Sequence, residues 1–334
     1  MKILLYLEDY KYLKKSGIGR ALSQQKEALE ENGIEVTFDP NDTFDLAHFN
    51  SYKIKSEYYI DKFHKQGYKV IVHGHSTHED FKDSFRFCSL IQPFYNNLLD
   101  RIYRKADAII TPTNYSANLI SHYKKVKCPI YPLSNGIDLK TYAYSEEKIQ
   151  KFKNAFNINN EKVVIGVGFP FKRKGLDVFI QVARSFPNIK FIWFGSLAKI
   201  LTSSYILKCI KNKPNNVILP GYLSGDIIQG AYLYASCLLF PTKEETEGIV
   251  VLEALASYCP VVTTNIPVFN GWLDNCNSYL CSNLDEFKKA VNTCLQGKNQ
   301  DLVNNGYLVA KERDLKIIGS KLKEIYLNLL ETKI

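Results

Sequence analysis

Two doubly wound α/β domains, facing each other across a cleft, are the architecture this sequence predicts, on three observations. Short apolar runs alternate with stretches of helical period almost from end to end. That is the pattern of parallel strands buried on both faces and joined by right-handed βαβ crossovers. The alternation falls into two series that meet near Asn135-Gly136, after which the helical period restarts in the polar stretch Tyr142–Glu161. Finally, 334 residues, 46% hydrophobic and 23% charged, are enough for two ordinary cores and exclude a disordered or fibrous chain.

In chain order, the strand-like runs of the first series are Lys2–Leu7, Ile34–Phe38, Asp45–Phe49, Lys69–Val72, Ala108–Pro112 and Pro129–Leu133. Between the first two lies an amphipathic stretch, Gly19–Glu31, stopped by Asn32-Gly33. The second series runs Lys162–Val167, Lys190–Phe194, Asn216–Leu219, Cys237–Phe240 and Val261–Thr263. Leu176–Phe186, Asp226–Ala235, Gly248–Ser257 and Leu284–Gln296 fill its gaps as helices, and Ile317–Leu330 has the spacing of a closing helix. The expected division is residues 1–140, residues 141–316 with a linker at Tyr142–Glu161, and a C-terminal helix in 317–334 that packs back on the first domain. Ligands are expected at the carboxyl ends of the strands.

No apolar stretch approaches the roughly 18 residues that span a bilayer. Ile3–Leu7, closed by Glu8 and Asp9, is too short for a signal-peptide core, so a cytoplasmic location is expected. The net charge of +9 lies mostly in residues 151–334. It suits phosphate-bearing ligands, anionic lipid or nucleic acid without choosing among them. Cys88, Cys128, Cys209, Cys237, Cys259, Cys276, Cys281 and Cys294 form no Cys-x-x-Cys pair and read as buried thiols, neither disulfides nor zinc ligands.

The sharpest segment is Pro241-Thr-Lys-Glu-Glu-Thr-Glu-Gly-Ile-Val-Val-Leu-Glu-Ala-Leu-Ala256, where a buried strand leads through an acidic turn into an apolar helix. Gly248, Ile249 and Val250 fall in its first turn, whose amides have no intrahelical partner and can meet an anion. Glu244 and Glu247 are also explained as helix-start acids favoured by the dipole. Glu253 is flanked on both sides by apolar residues, so its carboxylate needs a hydrogen-bonding partner such as a sugar hydroxyl.

Within Glu-Thr-Glu-Gly-Ile-Val-Val-Leu-Glu-Ala, the spacing Glu245-x7-Glu253 resembles the signature of family 4 retaining glycosyltransferases of GT-B fold. The resemblance implies that Glu245 contacts the donor sugar and Glu253 the ribose hydroxyls, while Gly248, Ile249 and Val250 offer amides to the donor. Gly166-Val-Gly-Phe-Pro-Phe-Lys-Arg-Lys-Gly-Leu-Asp177 is similar to the family's Gly-Arg…Lys-Gly turn, which neutralises the departing nucleoside diphosphate. Lys174 takes the lysine's place. Phe169 stands where the family has arginine, and Arg173 is the substitute. Ser16-Gly-Ile-Gly-Arg20 lacks the third glycine of a dinucleotide fingerprint, since Leu22 is there, yet Gly17 matches the family's Gly-rich first turn.

His73-Gly-His75-Ser-Thr-His78 follows a strand, and three readings are open: capping histidines, a binuclear metal site, or the family's histidine facing donor sugar and acceptor, matched by His75. A metal site would need further histidines downstream, and none lies beyond His122. The family requires no metal, and no Asp-x-Asp of the metal-dependent type occurs.

Phe81–Lys105 carries an apolar stripe with Phe85 and Phe94, a helix start at Pro93, and the basic residues Arg101, Arg104 and Lys105. It is either a core helix with a basic outer face or a surface that admits a lipid acceptor. His-Ser-Thr-His-Glu-Asp-Phe-Lys-Asp-Ser-Phe is similar to bacterial diglycosyl-diacylglycerol synthases, which favours the second. The resemblance therefore implies an acceptor-binding first domain and a nucleotide-sugar-binding second. The enzyme would be a metal-free hexosyltransferase, peripheral on the anionic inner face of the cell membrane. UDP-glucose or UDP-galactose would be donor, monoglucosyl-diacylglycerol acceptor, and no nucleic acid would be involved. Polysaccharide or polyprenyl-linked acceptors, and an inactive partner subunit, are the alternatives.

Overall fold

A computed structural model describes residues 1–13 and 17–331. The chain forms two compact units. The first comprises Met1–Phe81, Leu90–Asp138 and Arg313–Ile334; the second comprises Lys82–Ser89 and Leu139–Glu312.

The first unit is a six-stranded parallel sheet of β1 (Lys2–Tyr6), β2 (Glu35–Thr37), β3 (Leu46–Phe49), β4 (Lys69–His73), β5 (Ala108–Thr111) and β6 (Ile130–Pro132). Its order is β2-β1-β3-β4-β5-β6, so the winding reverses between β1 and β3. Successive residues of β1 serve opposite faces. Ile3 and Leu5 pack with Leu22 and Leu29 of helix Gly17–Glu31 and with Ile318, Leu322 and Tyr326 of the C-terminal helix Leu315–Glu331. Leu4 packs on the other face with Ile60, Phe63, Leu99 and Ile102.

The chain leaves this unit and re-enters it side by side. Ile137 donates its N–H to the Arg313 carbonyl at 2.9 Å and accepts from Leu315 N at 3.2 Å. The C-terminal helix then lies close on helix Gly17–Glu31, and a Cβ at Gly319 would stand 2.0 Å from the Ala28 carbonyl oxygen.

The second unit is a parallel sheet of β7 (Val163–Val167), β8 (Lys190–Phe194), β9 (Val217–Gly221), β10 (Cys237–Phe240), β11 (Val261–Thr264) and β12 (Tyr279–Cys281). The order β12-β11-β10-β7-β8-β9 starts in the middle, runs outward one way, then reverses and runs out the other. The reversal puts the topological switch point between β7 and β10, the place where open α/β sheets bind ligands. Trp193, Phe179 and Phe191 anchor one face, all fully buried, with Phe179 edge-on to Trp193.

Every run read as a strand is one, its ends within about two residues. Four readings need correction. The edge strand β12 carries no strand signal in the sequence, because Asn277-Ser-Tyr-Leu-Cys-Ser-Asn283 is short and mostly polar. The stretch read as a linker contains helix Glu146–Ala155, capped by the Ser145 hydroxyl on Lys148 N and buried through Ile149 and Phe152. Pro93 does not start a helix: the helix runs Cys88–Tyr103 with the proline inside it. Cys276 is also exposed rather than buried.

The close approach at Gly319 yields a stability test. Gly319→Val should lower the thermal midpoint by an amount matching about 2 kcal/mol, the scale of overpacking a tight contact. Unchanged unfolding would mean that the C-terminal helix is not seated as described.

Candidate active site

At the switch point of the second unit, two loops meet because a glycine lets them. After β7, the chain passes Gly168, whose carbonyl takes the Trp193 indole N–H at 2.9 Å, and makes a single 3-10 turn, Lys172–Lys174. Gly175 follows with φ +77°, and a Cβ there would lie 2.1 Å from the Pro241 carbonyl oxygen of the loop after β10. Lys243 N–H donates to the Arg173 carbonyl at 2.7 Å, joining the two loops again.

That junction delivers two cations to one buried carboxylate. Glu245 Oε1 accepts from Lys174 Nζ at 2.5 Å and from the Thr242 hydroxyl at 2.7 Å, with Arg173 Nη1 at 3.8 Å. Burial alone would push the Glu245 pKa up. The charges of Lys174 and Arg173, with hydrogen bonds from Lys174 and Thr242, outweigh it and hold the carboxyl below its ordinary value. Arg173 is fixed by Nε to the Ser84 hydroxyl at 2.9 Å and by Nη1 to the Glu244 carbonyl at 2.8 Å, and its guanidinium lies over the Phe171 ring. Phe169 packs its ring against Phe171, over which the Arg173 guanidinium lies.

Gly248, with φ +91°, is the N-cap of helix Ile249–Ala256, which places the amides of Ile249 and Val250 in the first turn. Glu253 is fully buried, and Oε2 accepts from the Tyr232 hydroxyl at 2.7 Å. Glu247 is buried as well, which a solvated helix-start acid would not be, while Glu244 is half-buried.

In the first unit, His75 lies just past β4, nearly buried. The Tyr52 hydroxyl clamps its turn by accepting from His75 N at 2.5 Å and donating to the His73 carbonyl. Tyr103 donates to the Ser76 carbonyl at 2.6 Å. The rings of His73 and His75 stack at 4.1 Å. Burial holds His73 down to about 3, and burial with the neighbouring His73 and His48 holds His75 well below the ordinary range. His78 leaves this stack: its ring lies on Tyr123, and Nε2 is 2.9 Å from Asp100. The three histidines of the motif therefore do not converge. Among the described residues no group of three or more His, Cys, Asp or Glu is placed to hold a metal. Gly17 is the exposed first residue of its helix, and Ser16 lies outside the described residues.

Helix Cys88–Tyr103 divides along its length. Leu98, Leu99, Ile102 and Tyr103 are in the core, whereas Leu90, Ile91 and Phe94 are exposed, Leu90 and Phe94 by 76% and 65%. Phe85 is half-buried. Arg101 and Lys105 are committed to Glu57, and Lys105 also to Asp61. The expectation of three basic residues open to headgroups is thus corrected to one, the exposed Arg104.

Comparison with known proteins places this geometry. Residues 147–309 match the family described as glycosyl transferases group 1, and residues 39–141 match glycosyltransferase family 4. The chain is 50% identical, over all of both chains, to a processive diacylglycerol alpha-glucosyltransferase of Acholeplasma laidlawii. The chain belongs to the family 4 glycosyltransferases. It is also 23% identical to an alpha-galactosylglucosyldiacylglycerol synthase of Streptococcus pneumoniae, over 83% of this chain and 75% of that one. Its fold is that of Anabaena HepE solved with UDP-glucose, at TM-score 0.75 and 19% identity over 98% of this chain and all of that one. A sucrose-phosphate synthase of Thermosynechococcus elongatus matches at TM-score 0.79 and 16% identity, over 98% and 99%. This is the GT-B architecture.

Several residues of this glycosyltransferase escaped sequence reasoning. Thr242 and Tyr232 hold the two glutamates, and Tyr52 and Asn50 hold the histidine turn. Only Asn50 carried a signal, a polar residue directly at a strand's carboxyl end.

The buried ion pair gives a pH prediction. A carboxylate whose folded pKa is depressed contributes stability above its unfolded value, 4.5, and loses it as pH falls through the folded value. Lys174→Met should therefore cost about 3 kcal/mol at pH 7, with the gap to the parent narrowing at acid pH. Urea unfolding at pH 7 and pH 3.5 measures both, and an equal gap at the two pH values would refute the pairing.

Proposed function

We propose that this glycosyltransferase moves glucose from UDP-glucose, with retention and without a metal, onto monoglucosyl-diacylglycerol at the inner face of the cell membrane. The product is a diglucosyl-diacylglycerol. One observation carries the reading: the full-length identity to a relative whose name specifies a diacylglycerol acceptor and an alpha-glucosyl product. UDP-glucose is itself an α-glycoside, so an α product from it requires net retention. Glucose is preferred to galactose as donor because the relative named for glucose is 50% identical and the one named for galactose 23%.

The chemistry asked of the protein is electrostatic. The departing UDP gains negative charge as the glycosidic bond breaks. Arg173 and Lys174 and the first-turn amides at Gly248–Val250 supply preorganised positive potential for it, on the scale of about 3 kcal/mol per donor group. These groups do the work that a divalent ion would otherwise do. Glu245 orients the donor ring, and Glu253, with one oxygen held by Tyr232, takes the ribose hydroxyls. Attack comes from the face the diphosphate leaves, and the donor phosphate accepts the hydroxyl proton. Glu245 and Glu253 are accordingly not a glycosidase acid and nucleophile. His75, kept neutral by its burial, positions the incoming hydroxyl rather than deprotonating it.

Membrane contact is assigned to Leu90, Ile91 and Phe94, an exposed apolar patch on adjacent turns of helix Cys88–Tyr103, with Arg104, the residue just past that helix, for anionic headgroups. Among the described residues no helix is long and apolar enough to cross a membrane.

The direct test is UDP release from UDP-glucose and UDP-galactose, with monoglucosyl-diacylglycerol in anionic-lipid micelles and EDTA present. Lipid-dependent release with UDP-glucose is expected, and Glu245→Ala or Lys174→Ala should lower it at least about tenfold, or about 1.4 kcal/mol. Release without lipid would favour a polysaccharide acceptor, and none with either donor an inactive partner subunit. For the membrane patch, Leu90→Ser with Phe94→Ser should reduce co-sedimentation with anionic vesicles several-fold while leaving the thermal midpoint in place. Undiminished vesicle binding would remove the patch from the reading.

A further inference from the structure

Behind His75 lies a chain of buried, uncharged polar groups whose hydrogen bonds have one consistent direction. Asn50, fully buried just past β3, offers Oδ1 to His75 Nε2 at 2.7 Å. An amide oxygen can only accept, so Nε2 carries the proton and Nδ1 the lone pair. Asn50 Nδ2 donates onward to Gln25 Oε1 at 2.9 Å. Gln25 Nε2 then donates towards His48 Nδ1 at 2.7 Å, where the Tyr326 hydroxyl of the C-terminal helix also sits at 2.7 Å. With Nδ1 accepting, His48 Nε2 holds its proton and faces His73 Nδ1 at 3.3 Å. With this direction of the chain, His75 and His48 are both Nε2–H tautomers.

We infer that Asn50 is the positioning residue of His75: it locks the imidazole as the Nε2–H tautomer at one orientation, and Gln25, His48 and Tyr326 tie that lock to the C-terminal helix. The inference rests on the proposed role of His75 in placing the acceptor hydroxyl. Stacking on His73 fixes its plane but not its rotation within that plane, and the Tyr52 hydroxyl holds only its backbone N–H. The groups facing His75 are His73 and His48 from the sheet, Tyr52 from the turn after β3 and Asn50 itself, with Asp80 further along its own loop binding Thr77 N. Tyr103 and Tyr326 from the two flanking helices complete the surroundings. The imidazoles are held neutral by burial, the tyrosines are held protonated by it, and the carboxylate of Asp80 is engaged elsewhere.

The test replaces the neutral acceptor by a charged one of the same shape. A carboxylate at position 50 would still accept from Nε2–H but would also stabilise the imidazolium, raising the His75 pKa. In the full-length enzyme with UDP-glucose and glycolipid micelles, the parent should show no His75 limb in kcat between pH 5.5 and 8. Asn50→Asp should acquire one, losing at least about five-fold in kcat between pH 8 and pH 6, and Asn50→Ala should lose at least about tenfold at every pH with an unchanged KM for UDP-glucose. Imidazole ¹⁵N resonances of the unaltered protein, with His75 identified by its loss in His75→Gln, should report Nε2–H and an unprotonated Nδ1. They decide the case if Asn50→Asp does not fold. An Nδ1–H tautomer, or an Asn50→Asp profile superimposable on the parent while His75→Ala is inactive, would overturn the positioning role alone. Full activity in His75→Ala would overturn the reading of His75 itself, and this inference with it.

Discussion

The second unit is organised around a carboxylate that cannot be buried alone. Glu245 is almost inaccessible, and an unpaired charge at that depth would take up a proton. It stays ionised because the loop after β7 brings Lys174 and Arg173 to it. That loop reaches it only because Gly175 lets the backbone pass against Pro241. Strand order, glycine and ion pair form one chain of dependence. The switch point between β7 and β10 sets the two loops side by side, the glycine closes the distance, and the charges hold the result. The cations are therefore in place before any anionic ligand arrives, which is the condition under which electrostatic stabilisation costs no reorganisation.

The first unit solves the opposite problem. Its polar cluster at the ends of β3 and β4 contains no ionised group among His48, Asn50, His73 and His75, and burial keeps the imidazoles neutral. Neutral groups in a low-dielectric setting are expensive only when their hydrogen bonds are unmade. The network accordingly runs through Gln25 to Tyr326, recruiting a helix from the far end of the chain. One unit thus holds buried charge in place, and the other holds a neutral hydrogen-bonded cluster in place.

How much of this the sequence disclosed follows from the range over which each feature is encoded. The strands were legible because both-face burial demands contiguous apolar residues, and only β12, three residues in a polar setting, was missed. Glu253 stood out as a carboxylate among apolar neighbours. Its partner Tyr232 did not, since a tyrosine in an apolar helix has the same pattern whether or not its hydroxyl meets a glutamate. Glu247 was half explained as a dipole-favoured acid, a local argument that its burial overrules. Glu57 shows the same limit from the other side. Arg101 and Lys105 look available in sequence because their neutralising carboxylate comes from a different helix.

That pairing bears on the proposed membrane contact. With Arg101 and Lys105 bound to Glu57 and Asp61, the later turns of helix Cys88–Tyr103 are a docked, charge-balanced segment serving the core. The earlier turns differ: Leu90, Ile91 and Phe94 are exposed although nothing in helix geometry requires apolar residues there. Single exposed apolar side chains need no explanation, but three on adjacent turns form a patch. Desolvating such residues gains on the order of 1.5 kcal/mol or more each when complete. The driving force assigned to this helix is therefore hydrophobic insertion at one end. Electrostatic attraction, through the exposed Arg104 just past the helix, is secondary in that proposal, and vesicle binding through this surface should depend more on the patch than on ionic strength.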